Sequence, residues 1–161
     1  IASGIKKGLV SNQNIKIASN SMKTLNKHAA DVLANLNPSA VTDISGFGLI
    51  GHLKEVCENS NLTANIEYSK IQFLPSAKSL AKEGIIPGGT KRNFNYVHDF
   101  VSFNSTLNQV DKYLISDAQT SGGLLISINE KEAREFTDNF QGYCQMIGYM
   151  EPKKEELIRV V

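Results

Sequence analysis

VTDISGFGLIGHLKEV, residues 41–56, ends an apolar run on a carboxylate, passes through a glycine-punctuated turn and enters a helical pattern at once. Val41 to Asp43 reads as the end of a short strand, while Leu49, Ile50, Leu53, Val56 and Cys57 share one face of the helix that follows. This order of strand, turn and helix puts backbone N–H groups and the positive end of a helix dipole into one small space, where anions are favoured. Asp43 changes the sign of part of that space. The combination suits a hard divalent cation held against phosphates, because Mg²⁺ takes one or two carboxylates plus substrate oxygens. A structural reading stands beside it: Asp43 and Ser45 are residue types favoured at turns and N-caps, where their oxygens accept backbone N–H bonds. Gly46, Gly48 and Gly51 can serve tight turning and close helix packing with no ligand involved.

Working outward, Met22, Leu25, Ala29, Val32, Leu33 and Leu36 recur at three- and four-residue spacing and predict one core-facing helix, ended by Asn37 and Pro38. Leu62, Ala64, Ile66 and Tyr68 alternate with polar residues, the period of a half-buried strand. Ser76 is the expected cap of a short helix through Leu80, stopped by Gly84. Residues 85–96, IIPGGTKRNFNY, carry enough Pro, Gly and Asn to predict a loop, cationic at Lys91 and Arg92. Val97 to Phe103 then reads as a strand, Thr106 to Tyr113 as a short helix, and Leu124 to Ile128 as a strand after a polar loop. Asn129 and Glu132 form an N-terminal capping pattern for a helix whose apolar stripe is Ala133, Phe136 and Phe140. A last strand is expected near Tyr143 to Met150, before the charged turn Glu151 to Glu156. Interleaved elements with unequal strand separations predict an α+β fold, a single mixed β-sheet with packed helices.

The bulk properties set limits. A chain of 161 residues is the length of one domain, 1–161, and its 41% hydrophobic and 20% charged residues are ordinary for a folded soluble protein. A formal net charge of +1 argues against a broad basic face for nucleic acid, and no apolar run approaches a membrane span. The N-terminus has no signal-peptide layout, so a cytoplasmic location is expected. The chain opens on Ile1 without an initiator Met, which implies a piece of a longer protein.

Candidate chemistry is sparse. Gly88 to Asn93 is a Gly-Gly segment with Lys91 and Arg92 that could present amides and cations to phosphate, and Asp117, Gln119, Thr120 and Ser121 form a polar lip before Gly122. A Gly-Gly turn with exposed Lys and Arg is more often a solvated loop, and the second segment also reads as a loop entering a buried strand at Gly122. His28, His52 and His98 lack metal-ligand spacing, and His52 with Glu55 reads as a surface helix pair. Cys57 and Cys144 form no C-x-x-C pair and read as small core hydrophobes.

VTDISGFGLIGHL from Val41, PGGTKRN from Pro87 and SDAQTSGGLLISI from Ser116, in this order and spacing, resemble the C-terminal domain of selenophosphate synthetase, or selenide, water dikinase. The resemblance spans nearly the whole chain. It places the fold in the aminoimidazole ribonucleotide synthetase superfamily of ATP-using enzymes. The turn wording TDISGFG favours selenophosphate synthetase over the other members.

The resemblance implies an enzyme, a phosphotransferase, converting ATP, selenide and water to selenophosphate, AMP and phosphate with Mg²⁺, in a site between two domains. It also implies a homodimer of the complete protein. The nucleophilic Cys or selenocysteine, its Lys and most metal-binding Asp residues belong to the N-terminal domain, which is absent. No catalytic residue is therefore assigned in this chain, and neither Cys57 nor Cys144 inherits the nucleophile's role. Asp43 matches the family's metal-binding Asp. Two alternatives stay open: another ATP-using synthetase or kinase of the superfamily, and a non-catalytic docking module. In either enzyme reading the chain alone is expected to be inactive and to expose an apolar face where the N-terminal domain packs.

Overall fold

The computed structural model describes residues 1–161. Short helices α1 (Ala2–Lys6), α2 (Asn12–Lys23) and α3 (Lys27–Leu33) lead into β1 (Ala40–Asp43) and α4 (Gly48–Ser60). Then come β2 (Leu62–Ile66), α5 (Ala77–Lys82), α6 (Gly88–Val97), β3 (Val101–Phe103) and α7 (Gln109–Ile115). The chain ends with β4 (Leu124–Ser127), α8 (Glu130–Asn139), β5 (Gly148–Pro152) and β6 (Ile158–Val160).

The expected α+β class holds, but the strands form two sheets instead of one. The larger has the order β3-β6-β2-β5, with β2 antiparallel to β5 and parallel to β6, and β6 parallel to β3. The smaller is the antiparallel pair β1-β4, in which Asp43 stands opposite Leu124. Each sheet has its own core. Ile50, Leu53 and Cys57 of α4 pack with Ala64, Ile66, Val97, Ile115, Ile158 and Val160 over the large sheet. Ala29, Leu33 and Phe136 of α3 and α8 cover the small one, against Leu124 and Ile126.

Several sequence expectations are corrected. Residues 85–96 do not form a loop: Gly88–Val97 is helical, because Pro87 provides an extended N-cap and Thr90 and Val97 are buried. Packing on α4 and α7 outweighs the two glycines' poor propensity. The single helix expected across Met22–Leu36 is two helices, broken at Thr24, whose backbone is extended; Leu25 is left 74% exposed. β2 is buried on both faces, not one: the Thr63 hydroxyl donates to the Glu156 carbonyl and Asn65 donates to the Glu151 carboxylate, so its polar side chains are satisfied inside. The strand expected from Val97 begins only at Val101, and the last expected strand lies at 148–152. β6 follows the charged turn and had no alternation long enough to show it.

Ser76 does precede a helix, yet it makes no capping bond; its φ is +68° and its hydroxyl accepts from Asn14. Helix α7 starts later than expected, at Gln109, because Asn108 and Asp111 form a capping box. The Asn129 cap of α8 is as expected, its side chain accepting from Glu132 N–H at 3.0 Å.

Asp111 also joins two parts of the fold. Its carboxylate, 5% exposed, accepts from Tyr68 Oη at 2.7 Å and from Lys78 Nζ at 2.9 Å. Burial opposes its charge, but the bonds from Lys78, Tyr68 and the Asn108 N–H outweigh that and hold its carboxyl below the usual carboxylate range. A carboxylate depressed in the folded state stabilises above its unfolded pKa, and this contribution is lost as pH falls through the folded value. Asp111→Asn is expected to cost about 1–3 kcal/mol near neutral pH, the range for breaking charged, buried hydrogen bonds. Urea denaturation should show the gap to wild type narrowing as pH falls below the unfolded carboxylate's value of about 3.9, where the unfolded chain takes up the proton first, and closing only below the lower folded value.

Candidate metal-binding half-site

Three segments that are far apart in sequence meet at the turn after β1. Ile44 N–H donates to Gly123 O at 2.9 Å, and Gly122 N–H returns a bond to Ile44 O at 3.0 Å. Gln119 N–H donates to Ser45 O at 2.9 Å. From α6, the Asn93 side-chain amide donates to Gly46 O at 2.8 Å and Ser116 O at 3.1 Å, bridging the other two segments. Thr90 Oγ1, itself buried, bonds the Asp117 carboxylate. Asn26, at the start of α3, donates to Gly122 O at 3.0 Å.

Two glycines make this approach possible. Gly48 has φ +69°, and a Cβ there would lie 2.7 Å from Asp117 O and 2.9 Å from the Ser116 carbonyl. At Gly122 a Cβ would collide with the Ile44 carbonyl oxygen. Gly48 thus has the packing role that its sequence reading allowed, whereas a Cβ at Gly46 would meet nothing within 4 Å.

Asp43 ends β1 and is exposed. Thr42 Oγ1 reaches its carbonyl oxygen at 3.3 Å, but the Asp43 carboxylate enters none of the chain's hydrogen bonds or ion pairs. A capping Asp would accept a backbone N–H bond, and α4 has no side-chain cap bond of that kind. As a hard oxygen donor with no internal partner, the carboxylate fits one position in a Mg²⁺ shell. It fits only one, because no cluster of three or more His, Cys, Asp or Glu side chains exists in the chain.

Other candidates separate clearly. Lys91 and Arg92 are exposed on α6, and Gln119, Thr120 and Ser121 are exposed on the polar lip. His52 is not the surface residue expected: it is 8% exposed, its Nε2 lies 3.1 Å from Ser45 N, and Glu55 is 3.7 Å from its other nitrogen. Burial pushes the Cys57 thiol up to about 11, which makes it a poor nucleophile, and Cys144 is a half-buried free thiol. Sequence reasoning named Asn93 only as part of the Gly88 to Asn93 segment, without its bridging role, and missed Asn26, since an amide that spans 23 or 96 residues leaves no local spacing to detect. A cleft of about 470 Å³ lies between β1 and α4, lined by Ala40, Thr42, His52 and Glu55 among others. Strand alternation turns Ala40 and Thr42 to the face opposite Asp43, so this cleft is separate from the carboxylate.

No helix is long and apolar enough to cross a membrane. The family described as AIR synthase related protein, C-terminal domain, matches residues 6–161. Among curated relatives, selenide, water dikinase of Aliarcobacter butzleri (strain RM4018) is 36% identical over 98% of this chain and 47% of its own length. That of Clostridium botulinum (strain Eklund 17B / Type B) is 37% identical over 95% of this chain and 45% of its own length. The Myxococcus xanthus (strain DK1622) protein of the same name is 38% identical over 80% of this chain and 37% of its own. The chain thus spans less than half the length of these relatives. With the match covering all but its first residues, the chain belongs to the AIR synthase related protein family, as a C-terminal domain of that family.

Proposed function

We propose that this chain is the C-terminal half of an ATP-dependent enzyme that makes selenophosphate from selenide, water and ATP, releasing AMP and phosphate. Asp43 supplies one Mg²⁺-binding carboxylate to a site completed by an N-terminal domain. One observation carries the reading: all three motif segments converge on the turn beside an exposed carboxylate that has no partner within the chain. The names of the relatives supply the reaction.

In this reading the chain's own residues position and do not react. The strand end fixes where Asp43 stands, Asn93 and Gly122 fix the turn, and Lys91 and Arg92 put positive charge on the α6 flank of the same cluster. Mg²⁺, when bound, supplies positive charge that offsets the negative charge of the transferred phosphoryl group. Val41, Phe47 and Tyr96, which are 44%, 50% and 52% exposed, provide apolar surface around the turn for the N-terminal domain to cover. The complete enzyme works as a cytoplasmic homodimer in this account.

In the complete enzyme, Asp43→Asn is expected to lower selenide-dependent ATP turnover roughly a hundredfold, equivalent to about 3 kcal/mol of barrier, with the melting temperature nearly unchanged. Normal turnover together with a lowered melting temperature would make Asp43 a structural residue. The isolated 161-residue chain should bind Mg-ATP more weakly than about millimolar, since one carboxylate and half a cleft leave most of the phosphate charge uncompensated. Titration calorimetry showing tighter binding would mean that the site is complete without a second domain.

A further inference from the structure

The turn that follows Asp43 is held by a side chain from the helix it leads into. His52 Nε2 lies 3.1 Å from Ser45 N and 3.2 Å from Ser45 Oγ. A backbone N–H only donates, so Nε2 must be the unprotonated, accepting nitrogen. The proton of the neutral ring therefore sits on Nδ1, which faces the Glu55 carboxylate at 3.7 Å. The Phe47 ring meets the imidazole edge-on, with centroids 5.6 Å apart and planes at 66°. Phe47 can lie there because the next turn of α4 offers Gly51, where a Cβ would come within 2.6 Å of the Phe47 Cβ.

Ser45 is the joint through which this matters. Its carbonyl accepts from Gln119 N–H at 2.9 Å and Gly48 N–H at 3.1 Å, while no backbone carbonyl accepts its own N–H. His52 is thus the acceptor for an otherwise orphaned donor, two residues beyond Asp43, in a place where an unsatisfied amide is costly.

We infer that His52 is a positioning residue for the Asp43 turn, acting as the neutral Nδ1–H tautomer whose Nε2 accepts the Ser45 N–H. Its consequence for metal binding rests on the reading of Asp43 above; the clamp itself rests on geometry. Partners one shell beyond a metal ligand commonly alter affinity about 10–100-fold, which sets the size of the effect.

The test uses the 161-residue chain and the complete enzyme. Long-range ¹H–¹⁵N correlation spectra of the wild-type chain should show His52 protonated at Nδ1. Amide exchange at Ser45 should speed up by about tenfold or more in His52→Phe, which fills the space without an acceptor, and slow again in His52→Gln, whose amide oxygen can accept. In the complete enzyme, His52→Phe should raise the half-saturating Mg²⁺ concentration about tenfold while turnover at saturating Mg²⁺ is largely kept, and His52→Gln should recover it. A wild-type ring protonated at Nε2, or equal Ser45 exchange in wild type and His52→Phe, overturns the clamp. The tautomer measurement decides the matter even if His52→Phe fails to fold. If Asp43→Asn leaves Mg²⁺ dependence untouched while the tautomer and Ser45 protection are as stated, the Asp43 reading fails and the clamp stands. Altered dependence in Asp43→Asn with unchanged Ser45 exchange in His52→Phe sinks the clamp alone.

Discussion

The paired bonds between Ile44 and Gly122–Gly123, extended by Gln119 N–H to the Ser45 carbonyl, hold this structure's site together. They continue the β1-β4 ladder past the last strand residue, so the turn after Asp43 is an extension of a sheet and not a free loop. Close backbone approach is the condition for this. Gly48 and Gly122 satisfy it by having no side chain where the Asp117 and Ile44 carbonyls stand. Any Cβ at these points would separate the turn from the 116–123 segment, and Asn93, which reaches both Gly46 and Ser116, could no longer span them.

The two cores follow from the same arrangement. β1 and β4 pair only with each other, and an isolated antiparallel pair is marginal in water. Two further contacts support it: α3 and α8 cover one face through Ala29, Leu33 and Phe136, and α4 leaves the end of β1 directly and packs over the large sheet. The turn at 44–48 is therefore the joint between the two hydrophobic clusters, with Ile44 buried at its start and Ile50 buried just inside α4. A site placed there is held by both cores at once, which is how a short polar turn keeps a defined geometry.

Elements whose evidence is local were legible in the sequence. The strand, turn and helix at 41–56 and the Asn129 cap with Glu132 three residues later are written in adjacent residues, and the structure contains them. Where tertiary packing overrides propensity, local reading failed. PGGTKRN looks like a loop because glycine and proline break helices, but Thr90 and Val97 are buried against α4 and α7, and burial outweighs a weak preference. β2 has an alternating pattern, and Thr63 and Asn65 nonetheless lie inside, since Glu156 and Glu151 supply their hydrogen bonds from far along the chain. The site divides the same way. Asp43 stood out from its neighbours, whereas Asn93, Asn26 and the buried setting of His52 depend on distances that no spacing encodes.

The contrast between Asp43 and Asp111 shows what an unpaired carboxylate means in this fold. Asp111 is buried and takes bonds from a tyrosine, a lysine and its own helix cap, so its charge is spent inside the chain as structure. Asp43 sits at an equally ordered place, at the end of a ladder and before a clasped turn, yet its carboxylate has no partner. Order at the backbone with freedom at the carboxylate is a poor arrangement for stability, because a structural role needs the acceptor used. It is a good arrangement for recognition, because the ordering cost of the ligand's surroundings is met during folding and little remains to be met on binding. On the proposed reading of Asp43, His52 extends this logic by one residue: its imidazole accepts the Ser45 N–H and so adds no positive charge beside the carboxylate two residues before Ser45.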